Sequence, residues 1–271
     1  MSGGSIMLGA IAGDFVGSRF EGRAGPPRDF TLFHPDCRFT DDSVCAIAIA
    51  DALLGGRDFA QSLRAFVRRH PGRGYGGMFL NWALSDDAPA YGSWGNGAPM
   101  RVAAVGWLAR IEAEALTLAA AQSSVTHDHP DSVAGAQAVA LAIFLARSGE
   151  PQAAIRRRLA GDFGYDLAPD HALAGGGFDV SSAGTVPPAL AAAFESEDWE
   201  GAVRTAVCLG GDTDTLACIA GAVAEALHGL PVDAAAAARS HLTDDLRAVL
   251  ARFEAALRQA EKGPDVPGDE P

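Results

Sequence analysis

Gly210-Gly211-Asp212-Thr213-Asp214-Thr215 runs directly into the apolar stretch Leu216 to Leu227. A glycine pair, then side-chain oxygens, then a long alanine-rich run marks a loop that turns into a helix. Two carboxylates and two hydroxyls meet at that junction, where the helix dipole already favours negative charge. Capping the helix needs only one such side chain, and for any single Asp or Thr that is the commoner role. Two carboxylates held together repel each other unless a cation is present. Asp212 and Asp214 face the same way only if the backbone between them is extended, and on that expectation the pattern is one of hard oxygen donors for a divalent metal.

Thr40-Asp41-Asp42-Ser43 stands in the same way before the apolar run Val44 to Leu54 and also reads as donors at a helix N-terminus. Asp41 and Asp42 cannot both be ordinary caps of one helix, so at least one of them needs another explanation. Two such termini meeting in space would hold one or two divalent ions. Oxygen-only ligands suit Mg²⁺ or Mn²⁺ and exclude a thiolate zinc site. The triplet alone carries little weight, because Thr243-Asp244-Asp245 repeats it with no glycine loop beside it. That copy reads as a cap or a solvated turn.

Outward from these clusters the pattern is helical. Ile6 to Phe20 is apolar and rich in small residues, which suits a helix packed closely against neighbours; Asp14 falls inside it and Glu21 at its end. Phe59 to Arg69 is amphipathic and stops at His70-Pro71-Gly72. Met78 to Leu84, Ala98 to Ala109, Glu112 to Ser123, Ser132 to Ala146, a helix opened by Pro151, Ala189 to Phe194, Trp199 to Cys208, Thr215 to His228 and Ala234 to Ala260 follow. Alanine and leucine dominate these stretches rather than runs of Val, Ile and Thr. With no alternation of strand and helix, the expected fold class is all-α, an orthogonal helical bundle. One domain over residues 1–261 is expected, with residues 262–271 as a disordered tail.

Hydrophobic residues at 48% and charged residues at 20% are ordinary for a globular chain and far from disorder. Charge or glycine interrupts every apolar run before it could span a membrane, and Met1 to Ser5 lacks the basic start of a secretory signal. A cytoplasmic monomer is the expectation. The net charge of −13 disfavours general binding to nucleic acid or to an anionic membrane. Cys37, Cys45, Cys208 and Cys218 have no C-x-x-C spacing and read as buried free thiols.

Gly13-Asp14, Glu21, Thr40-Asp41-Asp42, Gly95-Asn96-Gly97 with Met100-Arg101, Thr126-His127 and Gly210 to Thr215 occur in that order over roughly residues 6 to 229. No one of these motifs is specific, but the ordered set closely resembles the ADP-ribosylglycohydrolase family. The resemblance implies an all-α fold with two Mg²⁺ (or Mn²⁺) ions at the bottom of an ADP-ribose cleft. Carried over residue by residue, Thr40, Asp41, Asp42, Asp212, Asp214 and Thr215 are the metal ligands, with Asp214 as the bridge. Glu21 matches a family glutamate at the scissile bond and is assigned a catalytic role, as is Asp41. Ser93, Trp94, Gly95, Asn96, Gly97, Met100 and His127 match positions that line the substrate cleft. Asp14 is expected to orient a ligand or the waters of the metal, His129 to cap or fill a loop, and Arg101 to pair with an acidic residue.

The function expected is a metal-dependent hydrolase that removes ADP-ribose from a protein or small-molecule conjugate by cutting at C1 of the proximal ribose. Breaking such a glycosidic link passes through an oxocarbenium-like state and needs a carboxylate to protonate the leaving group or activate water. A binuclear phosphohydrolase acting on a nucleotide pyrophosphate also fits the acidic residues, but the chain lacks a basic cluster for a transferring phosphate. A non-catalytic ADP-ribose binder is the third possibility. The acceptor, whether arginine, serine, a nucleic-acid base or a small molecule, is not encoded in any motif.

Overall fold

The computed structural model describes residues 6–175 and 177–262, and among these it contains fourteen helices with two isolated backbone bridges in place of a sheet. The first seven are α1 (Leu8–Gly17), α2 (Asp41–Gly55), α3 (Phe59–Arg69), α4 (Gly77–Leu84), α5 (Ala103–Leu108), α6 (Glu112–Ser124) and α7 (Pro130–Arg147). The rest are α8 (Gln152–Phe163), α9 (Pro169–Ala172), α10 (Ser182–Phe194), α11 (Trp199–Cys208), α12 (Thr213–His228), α13 (Val232–His241) and α14 (Asp244–Lys262). The all-α expectation holds.

The α1–α12 pair forms the centre of the molecule. Every residue of α1 is buried, and α12 is buried from Thr213 to Glu225, so neither helix needs a polar stripe. Both helices pack against α2 and α11, with α7 and α10 also on α12 and α13 on α1. The two run antiparallel with their backbones in contact along Gly9, Gly13 and Gly17. A Cβ on these residues would lie 2.5 Å from the Gly221 carbonyl oxygen, 2.0 Å from that of Ala217 and 2.2 Å from that of Thr213. Glycine at every fourth residue therefore brings the C-terminal half of α1 against the start of α12. Glu225, in turn, accepts the Gly9 N–H at 2.9 Å and closes the other end of the pair, where α1 has no side-chain cap of its own.

This contact gives a stability prediction. Gly13→Ala is expected to force the two helices apart and cost about 1–3 kcal/mol, the usual range for overpacking. Gly161→Ala in α8, where nothing lies within 4 Å of an added Cβ, is expected to gain up to about 1 kcal/mol. Urea denaturation midpoints of the two variants should move in opposite directions; equal shifts would mean that the backbone contact has slack.

Several element boundaries differ from the sequence expectation. α10 begins at Ser182, ahead of the start expected at Ala189, and carries Pro187 and Pro188 inside it. Ser181 caps it by accepting the Gly184 N–H at 2.9 Å, and burial of Val186, Ala189 and Leu190 outweighs the two lost backbone donors. Ala98 to Ala109 forms turns and only the short α5. Ala234 to Ala260 is broken at Leu242 and Thr243, and the Thr243-Asp244-Asp245 triplet begins α14, in keeping with a cap. α14 continues through Lys262, where the tail was expected to begin, and residues 263–271 lie outside the described residues, as do Met1 to Ser5. Cys37, Cys45 and Cys218 are buried free thiols, while Cys208 is half-buried.

Candidate metal centre and cleft

Asp14, midway along the buried α1, is completely enclosed, and its carboxylate gathers the start of α2. It accepts the Thr40 hydroxyl at 2.6 Å, the Thr40 N–H at 3.0 Å, the Ser43 N–H at 3.1 Å and the Ser43 hydroxyl. An acid on one helix thus supplies the N-terminal acceptor for another, which joins α1 to α2. Thr40 is also the N-cap of α2, accepting the Asp42 N–H at 3.3 Å. Asp42 is left with one carboxylate oxygen, Oδ1, that is buried and has no hydrogen-bond partner.

The start of α12 reaches the same point by a different backbone path. Gly210 and Gly211 take φ values of 75° and 78°, the left-handed region that disfavours other residues. They pair with the segment after α1: the Gly22 N–H donates to the Gly211 carbonyl at 2.8 Å, and the Gly211 N–H to the Arg23 carbonyl at 2.9 Å. The bridge holds Glu21 beside Asp212. Asp212 occupies the N-cap position with φ −83° and ψ 66°, yet its side chain makes no capping bond. Convergence of Asp212 and Asp214 therefore comes from a bend at 212 followed by the first helical turn, not from the extended backbone expected.

Two sets of carboxylate oxygens result, each within a 4.8 Å span: Asp14, Asp42 and Asp214, and Glu21, Asp212 and Asp214. Asp214 belongs to both. Asp41 falls outside the two sets, though it faces the same cleft, and Asp14, read from sequence only as an orienting residue, falls inside one. Thr215 donates its N–H to Asp214 at 3.1 Å, and its hydroxyl lies near Met100 Sδ at 4.0 Å. The Thr243-Asp244-Asp245 copy is elsewhere: Asp245 accepts from the Thr243 hydroxyl and lies 3.0 Å from His70 Nε2.

Burial raises every acid of the two sets and Asp41, and repulsion within the cluster adds to it for Glu21, Asp41, Asp42 and Asp214. Burial pushes Asp14 up to about 6 despite its four donors, and burial with the neighbouring Asp14, Glu21 and Asp212 charges pushes Asp41 up to about 8. Asp42 and Asp214 go well above the ordinary carboxylate range and Asp212 above it, burial again leading. Glu21, half-exposed, is raised by partial burial and by Asp212, against a lowering by Arg38. Such a cluster takes up protons or a cation. The all-oxygen donors, the unpartnered Asp42 Oδ1 and the uncapping Asp212 fit a hard divalent cation.

Above the carboxylates opens a cleft of about 410 Å³. Ser93, Gly95, Asn96, Gly97, Met100 and His127 line it. Trp94 does not: the residue is 53% exposed, and its carbonyl accepts the Ser182 N–H at 3.0 Å. The Asn96 amide is committed to protein, donating to Asp212 Oδ2 at 2.5 Å and Thr185 Oγ1 at 3.0 Å. His129 caps α7 by accepting the Asp131 N–H at 3.2 Å. Phe178 and Val180 also line the cleft but come from a loop with no motif, and Phe79 and Tyr91 had no signal beyond being aromatic. Arg101 corrects an expectation: it is fully buried and bonds Gln122 and Thr126 rather than an acid.

An all-α chain with convergent buried carboxylates under a ligand-sized cleft defines a class of helical proteins built around an acidic centre. The model of the ADP-ribosylglycohydrolase family matches residues 5–264, and the chain belongs to that family. It is similar to the ADP-ribosylhydrolase ARH3 of Danio rerio, with 25% identity over 302 aligned residues covering 83% of this chain and 82% of that protein. Among solved structures it matches one described as an ADP-ribosylglycohydrolase-related protein complex, with a TM-score of 0.71, 25% identity, and 93% and 95% of the two chains covered. The membership makes the chain an enzyme, an ADP-ribosyl glycohydrolase, and bears out the resemblance read from the ordered motifs. No helix among the described residues is long and apolar enough to cross a membrane.

Proposed function

We propose that this enzyme releases ADP-ribose from a modified protein or small-molecule acceptor by hydrolysing the glycosidic bond at C1 of the proximal ribose, with Mg²⁺ or Mn²⁺ as cofactor. The observation that carries the reading is the pair of carboxylate sets sharing Asp214, with Asp42 Oδ1 buried and unpartnered beside them. Thr40, Asp41, Asp42, Asp212, Asp214 and Thr215 are the residues assigned to hold two ions. Asp14 joins them or holds Thr40 and Ser43 in place. When bound, divalent cations supply Lewis-acid charge that binds and orients sugar hydroxyls and water.

The protein's own groups carry the rest. Glu21 stands at the mouth of the acidic floor, held by the Arg23–Gly211 bridge. Its raised proton affinity suits a group that protonates a leaving atom and then accepts a proton from water. Asn96 keeps Asp212 in place by donating to its Oδ2. The Gly95–Gly97 segment and His127 line the side of the cleft suited to the diphosphate or distal ribose, although the Gly95 and Asn96 N–H groups are already donated to Ser93 Oγ and the Val180 carbonyl.

A panel of defined ADP-ribosyl conjugates, assayed with Mg²⁺, with Mn²⁺ and after exhaustive EDTA treatment, tests this. Intact ADP-ribose is the expected product, with turnover lost on chelation and the melting temperature raised by either cation. AMP with ribose phosphate as product would favour the phosphohydrolase, and undiminished activity after chelation would end the metal-dependent reading.

A further inference from the structure

The cleft wall contains a chain of buried side chains that the motifs do not connect. Arg101 donates from Nε to Gln122 Oε1 at 2.8 Å, and from Nη2 to the Gln122 carbonyl at 2.8 Å and to Thr126 Oγ1 at 2.9 Å. The Gln122 amide nitrogen donates to the carbonyls of Ala98 and Ala119, each at 3.2 Å, so Oε1 is the atom turned towards Arg101. Thr126 Oγ1 lies 2.7 Å from His127 Nδ1. The histidine backbone is held as well: its N–H reaches the Ser123 carbonyl and its carbonyl accepts the Ser123 hydroxyl, both at 2.8 Å.

The hydrogen count along this chain has one consistent solution. A hydroxyl has one hydrogen and two acceptor sites, and a guanidinium only donates, so Arg101 fills one acceptor site of Thr126. A proton on His127 Nδ1 would fill the second and leave the Thr126 hydrogen without an acceptor, since the described hydrogen bonds provide no other. Thr126 is completely buried, and a buried donor without a partner forfeits its desolvation cost. The Thr126 hydroxyl therefore donates to Nδ1, and the imidazole carries its hydrogen on Nε2. That nitrogen faces the glycine wall: a Cβ on Gly97 would lie 2.7 Å from it and one on Gly95 3.7 Å. Gly97 is thus required for space, and the Nε2–H is presented to the cleft between Gly95 and Gly97. Burial and the Arg101 charge hold the ring well below the usual histidine range, so it stays neutral.

We infer that Arg101 and Thr126 are positioning residues: through a donor relay they lock His127 as a neutral Nε2–H donor towards a phosphate or ribose oxygen in the cleft. The identity of that oxygen rests on the ADP-ribose reading; the tautomer does not. A carboxylate in place of Thr126 would accept a proton from Nδ1 and so reverse the ring.

The test is ¹⁵N NMR of histidine-labelled protein, with the His127 signals assigned by their loss in His127→Gln, beside calorimetry with ADP-ribose. Wild type and Thr126→Ser should show an unprotonated Nδ1 and a protonated Nε2. Thr126→Val, nearly isosteric, leaves Nδ1 without its donor and should free the ring from its fixed orientation and weaken ADP-ribose affinity about tenfold to hundredfold, with serine restoring it. A protonated Nδ1 in the wild type would overturn the inference without any variant. So would a valine variant with wild-type affinity. Failure of wild-type protein to bind ADP-ribose would overturn the proposed substrate instead, while the ring-nitrogen shifts would still decide the relay.

Discussion

Asp214→Ala is expected to abolish both divalent-cation binding and turnover. Asp214 is the carboxylate common to the two acidic sets, so its removal breaks both at once, whereas any other single substitution leaves one set complete. The apo protein should not unfold as a result. Burial and the charges of Asp42, Asp212 and Glu21 disfavour ionised Asp214, so deleting it relieves repulsion and the apo melting temperature should hold or rise. What should vanish is the gain produced by Mg²⁺ or Mn²⁺. For a cation at a hundred times its Kd that gain is about 2.7 kcal/mol in wild type. Thermal melts with and without cation, beside titration calorimetry, separate loss of the centre from loss of the fold. A variant that keeps the cation-induced rise would remove Asp214 from the proposed metal ligands.

Glu21→Gln is expected to separate binding from chemistry. The amide keeps the size and hydrogen-bonding reach of the side chain but neither gives up nor accepts the catalytic proton. Turnover should fall by about 10²- to 10⁴-fold, the usual contribution of general acid–base catalysis. ADP-ribose and cation affinity should stay near wild type because Asp14, Asp42, Asp212 and Asp214 remain. The cation affinity carries the sharper information. Glu21 lies within the same 4.8 Å span as Asp212 and Asp214, so a large loss of cation binding would make it a ligand rather than an acid. Full activity would reduce it to a solvated helix end and move the proton transfer to Asp41.

The legible part of this molecule was local. A glycine pair followed by Asp-Thr-Asp-Thr, and the Thr-Asp-Asp triplet before an apolar run, stated the donor chemistry and the two helix starts because capping and oxygen ligation depend on residue type over a few positions. Small residues through Ile6 to Phe20 announced a close helix contact, and the order of the motifs carried the family. The Thr40 triplet could be told from its Thr243 copy by its place in the ordered set of motifs. The cleft wall was also mostly readable, with Trp94 turned outwards as the exception.

Tertiary structure alone decided which acids meet. Sequence spacing places Asp14 on α1 and Asp214 on α12, 200 residues apart, and only backbone contact along Gly9, Gly13 and Gly17 sets them side by side. The same holds for Glu21, which reaches Asp212 through two backbone hydrogen bonds to Gly211 that no periodicity encodes. Arg101 read as a partner for an acid because a buried guanidinium ordinarily needs one, yet the fold gives it Gln122 and Thr126 instead, leaves its Nη1 unpartnered and passes its orientation to His127. Residue identity sets what each side chain can donate or accept. Which partner receives it depends on distances of a few ångströms between remote segments, and those are set by how closely the helices pack.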